Sequence, residues 1–491
     1  MVPMSDKTSF STINPASGLE VASYQNSSKE DVDLAVARAK VAAKEWQSLG
    51  AKARRRILLK WARNLTHQID EGASWVSEET GKPVSDATLE FTLAIGHLAW
   101  AAKNADYVLA PQRRRPGLLM INMRATVERK PYGVVGVIGP WNYPVFTPMG
   151  SIAYALAAGN AVVLKPSEFT PGVAVWLADS FAKVSPIADL FTVVTGLPDT
   201  GRFLTESAVD KVAFTGSTRT AKKVAASCAE RMTPVVLECG GKDPVLVDKD
   251  ADITLAAENT LWSAMSNAGQ TCIGAERVYV HEAIAERFIQ EITGLAAKVE
   301  SGKNYGPATM PAQLNVISRH IQDAKDKGGT FRLGGIESVG ERYVSPVIIT
   351  DLDESSLAVQ EETFGPTLVI NRVRDMDDAI ERANATHYGL GAAVFSKRNG
   401  EAIASRIESG MVSINSVISF AAVASVPFGG IKESGYGRIH GPEGLLEFTY
   451  PKSTVSARFN PPLAFTTFRR SAFADKLVIR LIKLLHGRSL G

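Results

Sequence analysis

The chain alternates between two hydrophobic periodicities. Ser28 precedes a stretch with acidic residues in its first turn and apolar residues at helical spacing, and a second helical stretch runs from about Ala51 to Glu79. From about residue 124, short apolar runs that end in Gly- or Pro-bearing loops alternate with helical stretches. This alternation predicts a mostly parallel sheet with helices on its faces, and its recurrence after residue 275 predicts a second α/β domain.

The C-terminal segment has a different pattern. Residues 446–456 predict an edge strand, and residues 473–486 form an amphipathic stretch with three leucines on one face and basic residues elsewhere. Such a stretch suits either a peripheral membrane contact or a helix packed on its own protein or a partner subunit. Packing is favoured, because most amphipathic helices are simply packed.

Composition narrows the function classes. The 491 residues carry 54 Lys and Arg against 51 Asp and Glu, a net charge of +3, so no nucleic acid is expected as the main partner. Three cysteines cannot form a disulfide framework, which favours a reducing, cytoplasmic setting. Because the seven histidines are scattered, no metal centre is expected. Neither a signal peptide nor a membrane span is predicted.

Three polar residues are candidates for chemistry. Cys272 in GQTCIGAER has small neighbours that leave its thiol open to approach, although a lone cysteine is more often a core residue. Glu238 in LECGGK ends an apolar strand, either as a base of raised pKa or as a cap of a turn. Asn142 in GPWNYP is either an oxyanion donor on a rigid turn or an ordinary turn former.

Two loops are candidates for binding a nucleotide. The segment from Phe214 to Thr218 lies between a strand and a helix, where free backbone N–H groups favour phosphate, but it lacks the G-x-G-x-x-G spacing. Lys165 and Glu168 follow another strand, and they suit either ribose hydroxyls or a plain surface ion pair. Each signal is weak alone.

Jointly, these segments resemble the NAD(P)-dependent aldehyde dehydrogenase superfamily. The matching segments, in the same order and with similar spacing, are GPWNYP, LKPSE, FTGST, LECGGK, GQTCIGAER, EETFGP and PFGGIKESGYGR. The resemblance runs from about Asn14 to about Ser456. It implies an α/β fold with a Rossmann-type cofactor domain, an α/β catalytic domain and a small β oligomerisation flap. Because such a flap pairs with another subunit, the resemblance also implies a homodimer or homotetramer.

The resemblance also implies domain boundaries. These are residues 1–112 and 139–240 for the NAD-binding domain, 241–430 for the catalytic domain, 113–138 and 440–457 for the flap, and 458–491 for a basic amphipathic tail outside the shared core.

In proteins like this, the cysteine of GQTC is the nucleophile. The resemblance therefore implies that Cys272 attacks an aldehyde, that Asn142 stabilises the oxyanion, and that Glu238 activates the water that hydrolyses the thioester. Three alternatives stay open, a succinate-semialdehyde-type dehydrogenase, a CoA-acylating aldehyde dehydrogenase and a catalytically silent scaffold. CoA-acylating relatives commonly lack the glutamate, so Glu238 favours water as the acceptor.

The cofactor expected from the resemblance is NAD, with NADP as the alternative. A carboxylate at Glu168 accepts from both ribose hydroxyls but repels a 2′-phosphate. The implied cofactor-binding residues are Trp141, Lys165, Ser167, Glu168, Gly216, Ser217, Glu362 and Phe364. The usual GST-x-x-G glycine is Ala221 here, and we expect altered packing near the pyrophosphate rather than lost binding.

The substrate tunnel implied by the resemblance is apolar and carries aromatic rings. Its residues are Tyr143, Phe146, Gly150, Thr271, Ile273 and Phe420. Gly150 is expected to leave space where a bulky side chain often stands. We therefore expect a medium or long aliphatic, or an aromatic, aldehyde as substrate. The absence of Arg and Lys at these positions weighs against succinate semialdehyde.

Overall fold

A computed structural model describes residues 8–460 and 467–487. Within these ranges the strands are β1 (Ser9–Ile13), β2 (Glu20–Gln25), β3 (Gln112–Arg114), β4 (Met123–Pro131), β5 (Val134–Ile138), β6 (Ala161–Lys165), β7 (Phe191–Val193), β8 (Lys211–Thr215), β9 (Val235–Glu238), β10 (Asp243–Val247), β11 (Ala275–His281), β12 (Thr330–Leu333), β13 (Val347–Thr350), β14 (Thr367–Val373), β15 (Gly391–Phe395), β16 (Met411–Ile414), β17 (Gly435–Tyr436) and β18 (Thr449–Ala457). Residues 461–466 and 488–491 of the predicted tail lie outside the described residues.

The α-helices of the same ranges connect these strands. They are α1 (Lys29–Ser48), α2 (Gly50–His67), α3 (Ile69–Thr80), α4 (Val84–Val108), α5 (Phe146–Ala158), α6 (Pro171–Ala182), α7 (Pro198–Glu206), α8 (Thr218–Ala229), α9 (Ile253–Met265), α10 (Glu282–Ala296), α11 (Ala312–Asp326), α12 (Leu357–Gln360), α13 (Met376–Asn384), α14 (Gly400–Ala404), α15 (Ser419–Ala422), α16 (Gly441–Glu447) and α17 (Ala472–His486).

The predicted helical start at Ser28 is present as a capping box. The Ser28 side chain accepts a hydrogen bond from the Asp31 backbone N–H, and the Asp31 carboxylate accepts one from the Ser28 N–H. The second predicted helical stretch is two helices, α2 and α3, which meet at Gln68. Gly81 ends α3 with φ 74°, a left-handed conformation that glycine adopts without steric cost.

A six-stranded sheet carries four of the loops singled out in the sequence. Its order is β17-β9-β8-β5-β6-β7, and all pairs are parallel except β17 with β9. Residues 134–138, expected in the flap, belong to this sheet as β5, because they are apolar and covered by helices. Since the strands are parallel, the carboxyl ends of β5, β6, β8 and β9 lie at one edge.

A second, seven-stranded sheet has the order β12-β13-β14-β11-β10-β15-β16. Only its edge strand β12 pairs antiparallel. Its central strands are apolar and buried on both faces, as expected for a parallel sheet between helices. The α/β fold class is therefore confirmed. The remaining predicted domain boundaries stay predictions.

Contacts divide the described chain into two compact units. The first contains the residues up to 108 and residues 131–449, and so holds both large sheets. The second contains residues 109–130 and those from 450 onward. Within it lie most of the three-stranded sheet β18-β4-β3 and the helix α17, several of whose apolar side chains are exposed. No helix in the described ranges is long and apolar enough to cross a membrane.

Candidate active site

The two sheets bring Cys272 and Glu238 together. The Cys272 Sγ lies 3.8 Å from the Glu238 Oε1, within hydrogen-bond reach for sulfur. Glu238 is the last residue of β9, and Cys272 lies in the turn between α9 and β11, so each sheet supplies one partner. The thiol stays partly exposed, whereas only 4% of the Glu238 surface is accessible. A thiol and a carboxyl group therefore face each other in one cavity.

Burial controls the protonation of both groups. It raises the pKa of Glu238 to about 7, although the Thr215 hydroxyl donates to the carboxylate at 3.1 Å and opposes the shift. Burial, together with the charge of Glu238, also holds the pKa of the Cys272 thiol well above its usual range. A carboxyl group that titrates near neutrality is suited to take and return a proton.

The turn before Cys272 has a strained backbone. Asn267, Ala268 and Gly269 have successive φ values of 53°, 57° and 70°, all left-handed. Buried hydrogen bonds to Gln270 hold this turn. The Gln270 Nε2 donates to the carbonyls of Asn267 and Pro307. The Gln270 Oε1 accepts a hydrogen bond from the Thr309 backbone N–H. Cys272 is therefore positioned by contacts distant in sequence.

Asn142 reaches the same turn from the other sheet. Its side-chain amide donates to the Gln270 carbonyl at 2.9 Å, which leaves its second N–H available as a donor. Its own backbone carbonyl accepts from the Lys82 Nζ at 2.7 Å and from the Asn267 side chain at 3.0 Å. The loop after β5 is thus fixed directly beside the cysteine turn.

Sequence reasoning missed a buried ion pair behind this loop. Lys82 and Glu90 lie 3.0 Å apart with side chains no more than 1% exposed. Glu90 also accepts hydrogen bonds from the backbone N–H groups of Val145 and Phe146, at the start of α5. The signal was available, because helical spacing from Ala87 and Ala94 places Glu90 on the buried face of α4.

The candidate cofactor residues of β6 and its loop lie close together. The Lys165 Nζ is 3.6 Å from the Glu168 Oε2, and the Ser167 hydroxyl is 3.4 Å from the same oxygen. Lys165 is buried, which lowers the pKa of its ammonium group. Glu168 keeps 29% of its side chain exposed, so its carboxylate is accessible at the sheet edge.

Gly216 and Ser217 lie at the start of α8. Ser217 caps this helix by accepting from the Thr220 N–H, and the Gly216 N–H donates to the Glu238 carbonyl at 3.1 Å. Ala221, which replaces the usual glycine, is buried in the first turn of α8. The helix start is therefore intact with alanine at this position.

Glu362 and Phe364 are held against the same edge from the second sheet. The Gly241 N–H donates to Glu362 at 3.1 Å, and burial with the nearby charge of Glu276 raises the pKa of Glu362 to about 8. Glu276 accepts from the Phe364 N–H and pairs with the buried Lys242, which anchors the loop.

Trp141 completes this group, because its ring lies edge-on to that of Phe364, with centroids 5.5 Å apart.

The cavity at Cys272 corrects two of the predicted substrate residues. Tyr143, Phe146, Thr271 and Ile273 line it, but Gly150 and Phe420 do not. Further lining residues that the sequence did not indicate are Lys82, Asp86, Leu89, Glu90, Leu93, Thr147, Trp262, Ser266, Asn267, Ile418, Ala421, Phe428, Ile439 and His440.

Both corrections have a packing cause. The space in front of Gly150 is filled, since a Cβ there would lie 2.7 Å from the His440 Nε2 and 2.9 Å from the Ile439 Cδ1. Phe420 packs against Phe428 and lines a separate small cavity beside Asp243. Among the described residues, no three His, Cys, Asp or Glu side chains are placed to hold a metal ion.

Comparisons with known proteins agree with this geometry. Residues 2–454 match the model of the aldehyde dehydrogenase family. A Mycolicibacterium smegmatis protein, provisionally named for succinate semialdehyde and NADP, is 34% identical, with 96% of this chain and 93% of that protein covered. The chloroplastic betaine aldehyde dehydrogenase of Beta vulgaris is 36% identical, with 93% of this chain and 94% of that protein covered.

Solved structures agree as well. The NAD-dependent aldehyde dehydrogenase of Sinorhizobium meliloti superposes with a TM-score of 0.89 at 32% identity, covering 95% of this chain and 94% of that one. The family match spans nearly the whole chain and includes both sheets and every candidate site residue. The chain therefore belongs to the aldehyde dehydrogenase family, as its motifs predict.

Proposed function

We propose that the protein oxidises an aldehyde to its carboxylic acid, with Cys272 as nucleophile and Glu238 as general base. The observation that carries this proposal is the 3.8 Å contact between the Cys272 Sγ and the Glu238 Oε1. The thiol gives its proton to Glu238, and the sulfur forms a bond to the carbonyl carbon. The second N–H of Asn142 and the Cys272 backbone N–H stabilise the oxyanion of this thiohemiacetal.

The residues at the sheet edge fit a nicotinamide dinucleotide. Glu168 and Lys165 offer a carboxylate and an ammonium to ribose hydroxyls, and the start of α8 at Ser217 offers backbone N–H groups to a pyrophosphate. Glu362 and Trp141 would contact the nicotinamide half. When bound, NAD or NADP supplies a hydride acceptor, so that the carbon held by Cys272 becomes a thioester.

Before the second half of the reaction, Glu238 passes the proton from the Cys272 thiol to solvent, which restores its carboxylate. Its carboxylate takes a proton from a water molecule, whose oxygen bonds to the thioester carbon as the carbon–sulfur bond breaks. This releases the acid and restores the Cys272 thiol. A carboxyl group of pKa about 7 is charged often enough near neutrality to accept this proton, and Glu238 thereby supports water over CoA as the acceptor.

For the substrate, we propose a medium or long aliphatic or an aromatic aldehyde. Apolar side chains make up most of the cavity wall, among them Phe146, Trp262 and Phe428. Lys82 also lines the cavity, but its charge is paired with Glu90, so it offers no free cation to the carboxylate of succinate semialdehyde.

One observation favours a second substrate class. Asp86 lines the cavity with no ion pair to another described residue, and Trp262 offers an aromatic face in the same cavity. An acidic and an aromatic side chain together suit an aldehyde that carries a cationic group. The Beta vulgaris relative is named for such a substrate.

The test is a steady-state assay of NADH or NADPH formation. The panel comprises hexanal, decanal, benzaldehyde, betaine aldehyde and succinate semialdehyde, each with NAD and NADP, with and without CoA. We expect CoA-independent turnover that is highest for the apolar aldehydes and lost in Cys272→Ala. A preference for betaine aldehyde would select the cationic class, and turnover unaffected by Cys272→Ala would refute the mechanism.

We also propose that β18 pairs with another subunit in a homodimer or homotetramer. This nine-residue strand is at the edge of the three-stranded sheet, and all its residues after Thr449 are exposed. A long exposed edge strand offers unpaired backbone groups to a partner. Light scattering of the purified protein would measure the assembly, and a monomer would contradict it.

A further inference from the structure

His440 is a buried polar residue that the proposed chemistry does not use. It follows Ile439, which bridges to Phe428, and precedes α16. Its φ of 61° is left-handed, an unusual conformation for a residue with a side chain. The Gly444 N–H donates to the His440 carbonyl at 2.7 Å and helps to hold this conformation. The imidazole is directed inward, with 1% of the residue exposed, and lines the cavity of Cys272.

Both ring nitrogens of His440 lack a hydrogen-bond partner among the described residues. Burial and the neighbouring His97 lower the pKa of the imidazole well below its usual range, so the ring is neutral. A neutral imidazole has one N–H donor and one nitrogen acceptor, and buried groups of this kind are nearly always paired in folded proteins. His440 is therefore an unfilled hydrogen-bonding position beside the aromatic rings of Phe146 and Phe428.

The neighbours of His440 have their own partners. His97 lies 3.9 Å away, ring centre to ring centre, but its Nε2 is 2.9 Å from the Ala421 carbonyl and its Nδ1 is 3.3 Å from the Tyr154 hydroxyl. Because a carbonyl only accepts, the His97 Nε2 carries the proton that it donates there. The Tyr154 hydroxyl is also 3.2 Å from the Ala424 carbonyl. None of these groups is a hydrogen-bond partner of the His440 ring nitrogens.

The His440 ring occupies the space that a side chain at Gly150 would fill. The Nε2 lies where α5 has no side chain, since even a Cβ at position 150 would approach it to 2.7 Å. Phe428 and Phe146 flank the ring, with centroids 5.3 and 5.6 Å away. An aromatic or alkyl body can thus lie against apolar rings while a polar group on that body meets His440.

We infer that His440 determines specificity by hydrogen bonding a neutral polar group, a hydroxyl or carbonyl oxygen, that the aldehyde substrate carries away from its reacting carbon. This inference rests on the proposed function and narrows its substrate class. A neutral group is favoured because His440 carries no charge to balance an ion, and an unbalanced ion is costly beside Phe146 and Phe428. Hydroxylated aromatic or aliphatic aldehydes have the required combination.

The test compares matched substrate pairs, benzaldehyde with 3- and 4-hydroxybenzaldehyde, and hexanal with 6-hydroxyhexanal. The readout is the ratio of kcat/KM for the hydroxylated and parent aldehyde, which is insensitive to the fraction of folded enzyme. We expect the wild-type ratio to reach about tenfold for at least one pair, since a site that hydrogen-bonds its substrate discriminates against the analogue without that group. His440→Phe should reduce the ratio to about one.

Two further variants separate recognition from a structural role. His440→Asn keeps a donor and an acceptor, so it should retain part of the preference. Tyr305→Phe removes a buried hydroxyl outside the cavity, one that donates to the Val344 carbonyl at 2.7 Å, and should leave the ratio as in the wild type. If His440→Phe does not fold, Gly150→Ala, which crowds the Nε2, should lower the ratio instead.

The outcomes distinguish the two proposals. Turnover of all parent aldehydes with wild-type ratios near one for every pair would overturn the role of His440 and leave the proposed function intact. An equal loss of preference in Tyr305→Phe and His440→Phe would also overturn it, because the effect would then not belong to His440. No turnover of any aldehyde by the wild type would refute the proposed function, and this inference with it.

Discussion

Replacing Glu238 by glutamine keeps the size of the side chain but removes its capacity to take a proton. Because general-base catalysis contributes roughly 10²–10⁴-fold, we expect steady-state turnover in Glu238→Gln to fall by about that factor. Because Glu238 in the proposed mechanism also takes the proton of the Cys272 thiol, rapid mixing should show a slower burst of NADH in this variant. A burst at the wild-type rate would assign Glu238 to hydrolysis alone.

The pKa of Glu238 predicts an acid limb in the pH dependence of wild-type turnover. With the pKa of Glu238 at about 7, half of the carboxylate is ionised at that pH and roughly a tenth one unit below, so turnover should fall accordingly. Glu362 has a pKa of about 8 in the same region, and Glu362→Gln is the matched control that should keep the limb near 7. Wild-type turnover in Glu238→Gln, or no acid limb, would refute the assignment.

The same shift has a consequence for stability. Raising the pKa of Glu238 from 4.5 to about 7 makes its ionised form about 3 kcal/mol less favourable in the folded state, at about 1.4 kcal/mol per unit. Because the folded state holds this proton more tightly, the contribution is lost as pH rises from 4.5 through 7. Glu238→Gln should therefore gain stability relative to wild type across that window, as measured by urea unfolding, and a difference independent of pH would contradict the shift.

Three further substitutions test the surroundings of the site. Glu90→Gln leaves the charge of Lys82 buried without its partner, so urea unfolding should show a loss of about 3–5 kcal/mol, and a loss below about 1 would mean that the pair is solvated. Glu168→Gln removes the repulsion of a 2′-phosphate, and the ratio of kcat/KM with NADP to that with NAD should rise about tenfold, or ~1.4 kcal/mol. An unchanged ratio would place cofactor selection elsewhere. Gln270→Leu leaves the Thr309 N–H unpaired, and we expect it to cost about 1–3 kcal/mol in the same unfolding assay; a neutral effect would show that water replaces the side chain.

Short-range sequence patterns predict much of the fold. Apolar runs followed by Gly or Pro are short-range signals, and the runs ending at Ile138, Lys165, Thr215 and Glu238 are parallel strands of one sheet. Their meeting at one edge follows from parallel pairing alone. The approach of Cys272 does not, because it belongs to the other sheet and its position depends on how the two sheets pack.

The substrate cavity shows where sequence reasoning ends. The sequence predicts that Gly150 leaves space in the cavity. In the structure, His440, which lies 290 residues later in the chain, fills that space. Nothing around His440 in the sequence marks it as buried, since it lies in a glycine-rich turn. The burial of Glu90, in contrast, could have been predicted from the sequence. A carboxylate at a core-facing position departs from the hydrophobic pattern of its helix.

The left-handed turn at Asn267, Ala268 and Gly269 bears on the order of folding. Such a conformation is unfavourable in isolation and persists only when its surroundings impose it. Those surroundings include Pro307 and Asn142, which are remote in sequence and reach the turn only after both sheets have docked. During refolding, thiol reactivity toward aldehydes should therefore return after helical circular dichroism. A chain whose two sheets are misdocked should therefore not present Cys272 in a reactive form.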